Sequence, residues 1–144
     1  MIIITGASRG LGKAIYNRLL ESGHEVCGLA RNISGVKDRA YECDVSSYDQ
    51  IKAVVRSIKK EKISVSGLIN AAGIASMNLA LTTPPSITEK LIRTNLLGTI
   101  YACQLFAPLM VRGMFGNIIN FSTSAVAVGL KGESVYVASK AGIE

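Results

Sequence analysis

Short apolar, β-branched runs alternate with helical patterns along all 144 residues. The patterns predict strands at residues 1–5, 25–30, 40–43, 67–71 and 117–122, and helices at 11–22, 47–60, 86–110 and from near Ser134 onward. Strands joined through helices pair in parallel by right-handed crossovers. We therefore expect an α/β fold with a doubly wound, Rossmann-type parallel sheet in three layers. One domain, residues 1–144, accounts for the chain, and the connection 31–39 is too short for a full crossover helix.

The predicted helix ends carry recognisable signals. Gly23 lies where a glycine commonly ends a helix. Ser47 with Gln50, and Ser86 with Glu89, have the spacing of capping boxes that open the next two long helices. The packed face of the first helix is expected to carry Leu11, Ala14, Ile15 and Leu19.

Composition excludes several classes of protein. Hydrophobic residues make up 49% and charged residues 18%, which is too apolar for a disordered chain. Polar and charged residues interrupt the longest apolar stretch, 91–114, so no membrane span is expected. Three scattered cysteines and one histidine do not predict a metal site.

The charge and the first residues predict a location. The net charge is +6, but the clustered basic residues fall on the polar side of one helix, so nucleic-acid binding is not expected. The first residues form an apolar strand rather than a basic leader, which predicts a cytoplasmic protein with free thiols.

A glycine-rich turn follows the first strand. Residues 5–12 read Thr-Gly-Ala-Ser-Arg-Gly-Leu-Gly, and glycines there let a phosphate approach the backbone and the positive end of the following helix. A P-loop ending at Gly12-Lys13 would need Gly at 7 and Ser or Thr at 14, and both positions are Ala. A dinucleotide turn is therefore favoured over a ligand-free turn, with candidate residues Gly6, Ser8, Arg9, Gly10, Leu11 and Gly12.

Polar residues also follow the later strands. Asp44-Val45 follows the third strand and Asn70-Ala71-Ala72-Gly73 follows the fourth. Open α/β sheets bind ligands at the carboxyl ends of their strands. An Asp that only opens a loop, or an ordinary strand exit, would fit these patterns too. Asn95 lies inside an apolar helix, where a satisfied core amide is the plain interpretation.

Tyr136 and Lys140 are four residues apart on the last predicted helix and share one face. An ammonium beside a phenol stabilises the phenolate, so such a pair can exchange a proton with an alcohol oxygen. The Tyr-x-x-x-Lys pattern alone is common. Its weight comes from the ordered set of motifs before it, which ends in the hydroxyl cluster Ser122-Thr123-Ser124.

Together these motifs resemble the short-chain dehydrogenase/reductase family, in its branch with the Gly-x-x-x-Gly-x-Gly turn. The resemblance implies that Asp44 meets adenine, that the backbone of 70–73 lines the ribose, and that Asn95 holds a water linking Lys140 to solvent. It implies Tyr136 as proton donor or acceptor beside the cofactor and Lys140. A Ser thirteen residues before the Tyr is usual in the family. Here the register gives Thr123, with Ser124 next.

The second strand ends in Ala30-Arg31, where an acidic residue would select NAD. Arg31 and Arg9 could instead clamp a 2′-phosphate, so NADP(H) is predicted over NAD(H). The resemblance implies hydride transfer with a carbonyl or alcohol substrate in a homodimer or homotetramer. It also implies a chain truncated soon after the catalytic helix begins, which leaves the substrate unspecified. The alternative is a nucleotide-binding module, or an inactive fragment, without turnover.

Overall fold

A computed structural model describes all residues 1–144. Five parallel strands form one sheet in the order β3-β2-β1-β4-β5. The strands are β1 (Ile2–Thr5), β2 (Val26–Ala30), β3 (Ala40–Glu42), β4 (Gly67–Asn70) and β5 (Asn117–Asn120). The α-helices are α1 (Gly10–Glu21), α2 (Tyr48–Lys60), α3 (Pro85–Leu91), α4 (Gly98–Arg112), α5 (Ala125–Val128) and α6 (Ser134–Ala141), with a 3₁₀ turn at Ala80–Thr82 and a π-helical segment at Ile92–Leu97. The predicted doubly wound α/β fold is confirmed.

The sheet separates two layers of apolar packing. One face carries a cluster that joins Ile3, Leu29 and Leu68 to the buried sides of α2 and α4. The other face carries a smaller cluster around Ile4, Ile69 and Tyr16 of α1. Alternate residues of one strand thus serve opposite faces, as the two-residue period of a strand requires. This arrangement is the predicted three-layer sandwich.

The register brings the strand ends to one edge. Thr5 at the end of β1 lies beside Leu29 of β2 and Asn70 of β4. Asn70 lies in turn beside Asn120 at the end of β5. No helix occupies the connection 31–39, so the short crossover is confirmed. Every loop that leaves a carboxyl end therefore starts from the same edge of the sheet.

The helix ends follow the predicted chemistry in two of three places. Helix α1 ends as expected, with Gly23 at φ +79° and the N–H groups of Gly23 and His24 donating to Leu20 and Leu19 carbonyls. Ser47 caps α2 by accepting from the Gln50 N–H at 3.4 Å. The Gln50 side chain does not return this bond to Ser47, because it accepts from the Asp44 N–H at 2.7 Å instead.

One expectation about helices is wrong and another is right for half of its residues. Ser86 does not cap its helix, because Pro84 is held extended before Pro85 and the helix begins at Pro85 itself. The packed face of α1 centres on Gly12 and Tyr16. The predicted Ile15 and Leu19 pack against the cluster there, whereas Leu11 is 56% exposed and Ala14 is also exposed. A Cβ on Gly12 would lie 2.4 Å from the Gly6 carbonyl oxygen, so only a glycine fits where α1 packs against the preceding turn.

The predicted helix 86–110 is longer than expected and contains the π-helical segment. The run Pro85–Arg112 is also long and apolar enough to cross a membrane by length and composition alone. Its inner residues, including Leu91, Ala102 and Phe106, are buried in the fold. The core helix of a soluble protein meets the same criterion, so this helix carries little weight as a membrane signal.

Candidate functional site

A cavity of about 430 Å³ opens at the carboxyl ends of the strands. Its walls come from the glycine turn, the end of β2 and the loops after β3 and β4. Of the predicted cofactor residues, those lining it are Gly6, Ser8, Arg9, Gly10, Leu11, Arg31, Asp44, Val45, Ala71, Ala72 and Gly73. Gly12, Asn70, Tyr136 and Lys140 lie outside its lining.

The glycine turn is packed so closely that two of its positions exclude a side chain. Gly6 has φ +72°, and a Cβ there would lie 2.8 Å from the Ala72 Cα. A Cβ on Gly12 would lie 2.4 Å from the Gly6 carbonyl oxygen. Gly12 therefore supports the turn by allowing α1 to approach it, and the turn leaves bare backbone facing the cavity.

Asp44 holds the loop that follows β3. Its Oδ1 accepts from the Ser46 N–H at 2.9 Å and from the Ser46 hydroxyl at 2.7 Å. This is the Asx turn expected of an Asp that opens a loop. The same residue lines the cavity, so the loop-opening role and the predicted contact with adenine are compatible.

Asn70 ties strands together. Its Nδ2 donates to Asn120 Oδ1 at 2.9 Å and lies 3.4 Å from Cys103 Sγ, while its Oδ1 is buried without a hydrogen-bond partner. The side chain thus bridges β4 to β5. In this motif the structure brings only Ala71, Ala72 and Gly73 to the cavity wall.

Asn95 lies in the π-helical segment and is completely buried. Its Oδ1 accepts from the Ile74 N–H and its Nδ2 donates to the Ile74 carbonyl, both at 2.9 Å. Its own carbonyl accepts from the Thr99 hydroxyl at 2.7 Å. A π turn displaces one residue from the usual helical phase and is common at functional sites. Here that residue clamps the loop that lines the cavity.

Lys140 brings the last helix to the cavity wall. Its Nζ donates to the Phe121 carbonyl at 2.8 Å, and a Cβ on Gly73 would lie 3.7 Å from the same Nζ. The side chain is 7% exposed, and burial lowers the pKa of its ammonium group. Tyr136, one turn earlier on α6, is half-buried. Lys140 therefore lies on the Gly73 side of the site, and Tyr136 precedes it by one turn of the same helix.

The three hydroxyls after β5 have different partners. The Ser122 hydroxyl donates to Glu144 Oε1 at 2.5 Å. Thr123 Oγ1 accepts from the Ala125 N–H at 3.3 Å, which leaves its hydroxyl hydrogen free to donate. Ser124 is exposed. Thr123 is therefore the cluster member whose hydroxyl is both partly buried and available as a donor.

The sequence patterns missed several residues of the site. Leu29, Ala30, Asn32, Cys43, Ile74 and Thr94 also line the cavity. Most of them stand next to predicted residues at strand ends, so the rule that placed their neighbours could have found them. Ser139 was missed as well, and it lies between Tyr136 and Lys140 in the sequence, fully buried against Asn95.

Known proteins match this chain over nearly its whole length. A family model described as short chain dehydrogenase matches residues 1–144. The 3-oxoacyl-[acyl-carrier-protein] reductase FabG of Staphylococcus aureus is 34% identical over 98% of this chain and 63% of the reductase.

Solved structures agree with the match. The aldohexose dehydrogenase of Thermoplasma acidophilum has a TM-score of 0.93 and 36% identity, covering 99% of this chain and 56% of the other. A serine dehydrogenase from Escherichia coli has a TM-score of 0.91 and 29% identity, covering 99% and 70%. The chain thus spans about 63% of the length of the curated relatives it matches.

Proposed function

The chain belongs to the short-chain dehydrogenase family, and from that premise we propose that its protein transfers a hydride between NADP(H) and a carbonyl or alcohol substrate. Tyr136 gives a proton to the substrate oxygen in reduction and takes one in oxidation. Lys140 and Thr123 assist, and the residues that line the cavity hold the dinucleotide. The nicotinamide supplies or accepts the hydride, which is chemistry that no amino-acid side chain provides.

One observation carries this proposal: the ammonium of Lys140 lies against Gly73, which lines the same cavity as the glycine turn. The proton-transfer pair and the phosphate cradle come from opposite ends of the chain. Lys140 and the glycine turn nevertheless both lie close to residues 72–73, at the carboxyl end of β4. Had α6 been on the other side of the sheet, the Tyr-x-x-x-Lys pattern would have been a coincidence of helical spacing.

The residues at the cavity suit a dinucleotide. The turn excludes side chains at Gly6 and Gly12, so backbone N–H groups at the start of α1 can face a pyrophosphate. Lys140 holds its positive charge in a buried position beside that site. We propose that this ammonium assists Tyr136 in proton transfer. Thr123 can donate its hydroxyl hydrogen to the substrate oxygen, and Ser124 is the second candidate for that role.

The choice of NADP(H) rests on the end of β2. Ala30 stands where an acidic residue would bind a ribose hydroxyl, and Arg31 and Arg9 both line the cavity. Guanidinium groups bind phosphate through paired, charge-assisted hydrogen bonds. The positive side chains therefore favour the cofactor that carries an extra phosphate.

The decisive test of turnover compares Tyr136→Phe with Tyr48→Phe in the intact protein. Tyr48 lies on α2, does not line the cavity and is 40% exposed. We expect Tyr136→Phe to lower kcat for NADPH oxidation with a ketone panel by at least ~100-fold, the usual weight of a general acid. Tyr48→Phe should leave kcat unchanged. NADPH binding without turnover that depends on Tyr136 would favour a binding module instead.

Cofactor choice is tested by Arg31→Ala against Arg18→Ala. Arg18 lies on the exposed side of α1 and does not line the cavity. Losing one phosphate contact should weaken NADPH binding ~10-fold or more and leave NADH binding nearly unchanged. Equal binding of both cofactors, unaffected by Arg31→Ala, would contradict the assignment.

Substrate, assembly and location remain predictions. The matched relatives are named for a 3-oxoacyl group, an aldohexose and serine, which share only a carbonyl or alcohol at the reacting carbon. We propose a small molecule of that class, a homodimer or homotetramer, and a cytoplasmic location. Size measurement of the intact protein by light scattering tests the assembly directly.

A further inference from the structure

The hydroxyl of Ser139 is a junction between the last helix and the rest of the site. Ser139 lies between Tyr136 and Lys140 on α6 and is completely buried. Its Oγ donates to the Tyr136 carbonyl at 2.7 Å and accepts from Asn95 Nδ2 at 3.0 Å. The Ser139 hydroxyl thus donates a hydrogen bond within α6 and accepts one from the π-helical segment.

The bond to Asn95 continues to the cavity wall. The other hydrogen of Asn95 Nδ2 goes to the Ile74 carbonyl, and Asn95 Oδ1 accepts from the Ile74 N–H. Ile74 lines the cavity, as does Gly73 before it. Ser139, Asn95 and Ile74 therefore form one hydrogen-bonded path from α6 to the wall of the proposed dinucleotide cavity.

Helix α6 needs such a contact to be placed accurately. It has 8 residues, and a helix this short is not stable by itself in water, so its position is set by contacts with the rest of the fold. Lys140 provides one polar tether, to the Phe121 carbonyl. Ser139 provides a second, to the π-helical segment. Two tethers at neighbouring residues fix both the height and the rotation of the helix, which a single tether does not.

We propose that Ser139 is a positioning residue for hydride transfer, an inference that rests on the proposed function. Through Asn95 it sets the height of α6, and hence of the Tyr136 phenol, relative to the loop of Gly73 and Ile74. Reaction rates are sensitive to such placement, because a shift of about 1 Å can cost ~100-fold in rate. Most of the residues proposed to hold the dinucleotide lie on the glycine turn and on the loops after β2 and β3, so NADPH binding should change little when Ser139 is altered.

The test compares Ser139→Ala with Ser134→Ala in the intact protein. Ser134 is on the same helix and exposed, so it controls for removing a hydroxyl from α6. We expect Ser139→Ala to lower kcat at least ~10-fold while the Kd for NADPH stays within twofold, and Ser134→Ala to change neither. A kcat unchanged by Ser139→Ala, or a loss confined to thermal stability, would overturn the proposal.

Two further measurements separate positioning from a general loss of structure. In a double-mutant cycle, Asn95→Ala and Ser139→Ala should have effects on kcat that do not multiply, because both break one path. The Ile74 amide should exchange its hydrogen faster in Ser139→Ala. Fully multiplicative effects, or unchanged exchange at Ile74, would contradict a path through Asn95.

The remaining outcomes are assigned in advance. If Ser139→Ala does not fold, Ser139→Cys carries the test: its sulfur is a weak acceptor, so kcat should fall at an unchanged Kd, and a wild-type kcat overturns the proposal. If Tyr136→Phe keeps full turnover, the proposed function fails and the role of Ser139 fails with it. If Tyr136→Phe loses turnover and Ser139→Ala does not, only the role of Ser139 fails.

Discussion

Strands β4 and β5 are neighbours in the sheet and have similar sequences, Gly-Leu-Ile-Asn and Asn-Ile-Ile-Asn. All residues of β4 are buried, whereas all residues of β5 are exposed. Within these 144 residues, which span about 63% of the length of the matched curated relatives, β4 has β1 on one side and β5 on the other, while β5 pairs only with β4. Apolar, β-branched sequence therefore makes a strand, but its neighbours decide how far the strand is covered.

The functional site shows the same contrast between buried and exposed strands. The glycine turn and the loops after β2, β3 and β4 start from buried strands and build the cavity. The exposed strand β5 leads into the segment that holds Thr123, Ser124 and α5. The proposed cofactor side is thus held by the core. On the proposed catalytic side, Lys140, Ser139 and Asn95 make specific hydrogen bonds that connect its segments within these 144 residues.

The largest effect is expected at Gly6, compared with Gly129. Both have positive φ, +72° and +69°, but only Gly6 would place a Cβ against backbone, 2.8 Å from Ala72. Gly6→Ala should lower the free energy of unfolding by about 4 kcal/mol, through backbone strain and overpacking. Gly129→Ala should cost only the strain, about 1 to 2 kcal/mol. Equal losses in urea denaturation would show that the two regions are packed alike.

Leu68 of β4 and Ile118 of β5 are register partners and give a more direct comparison. Leu68 is fully buried and Ile118 is 40% exposed. Leu68→Ala should lower the free energy of unfolding by about 3 kcal/mol, the usual cost of a buried cavity. In the 144-residue chain, Ile118→Ala should cost about 1 kcal/mol or less, because much of its surface meets water there. The comparison fails if Ile118→Ala is as costly as Leu68→Ala.

The parts of the fold and of the site that the sequence could predict follow the same contrast between buried and exposed strands. The strand and helix order came from periodicity, and the cavity residues came from the rule that strand carboxyl ends bind ligands. Gly6, Arg31 and Gly73 were found in this way. Local patterns work where the backbone itself makes the site.

The rest depends on contacts between distant segments. The Tyr16 hydroxyl bonds to the Lys37 carbonyl, and Asn95 in the π-helical segment bonds to Ile74. Each contact joins residues 21 positions apart, so no local sequence pattern predicts it. Ser86 does not cap the helix, although its spacing to Glu89 predicts it, because Pro84 is held extended and the helix already begins at Pro85. Nothing in the local sequence distinguishes Ser139 from an ordinary helical serine, because its contact with Asn95 joins residues 44 positions apart.

Hydrogen exchange should show the contrast between the strands without any substitution. β1 lies between β2 and β4, whereas β5 is paired on one side only. Local opening is easier where few buried contacts resist it. In the 144-residue chain, we expect the slowest amide of β5 to exchange at least ~10-fold faster than the slowest amide of β1. Equal protection factors measured by NMR would mean that β5 opens only with the whole fold.

The smallest effect is expected in the response of the thiols to pH. Burial raises the pKa of Cys27 from 9.0 to about 12 and that of Cys43 to about 11. Burial also raises the pKa of Cys103, which is only half-buried. In the unfolded chain these thiols lose their protons near the ordinary value. The unfolded state therefore binds fewer protons than the folded state above pH 9.

It follows that the free energy of unfolding should fall as the pH rises from about 9 to about 12, the folded-state pKa of Cys27, with Cys43 contributing up to about pH 11. Cys43→Ala should flatten this decline, whereas Cys103→Ala should leave most of it in place. A disulfide reagent such as DTNB should label Cys103 first at pH 8, and the two buried thiols only after denaturation. Rapid labelling of all three cysteines in the native protein would contradict the view that the cofactor side is the better covered half.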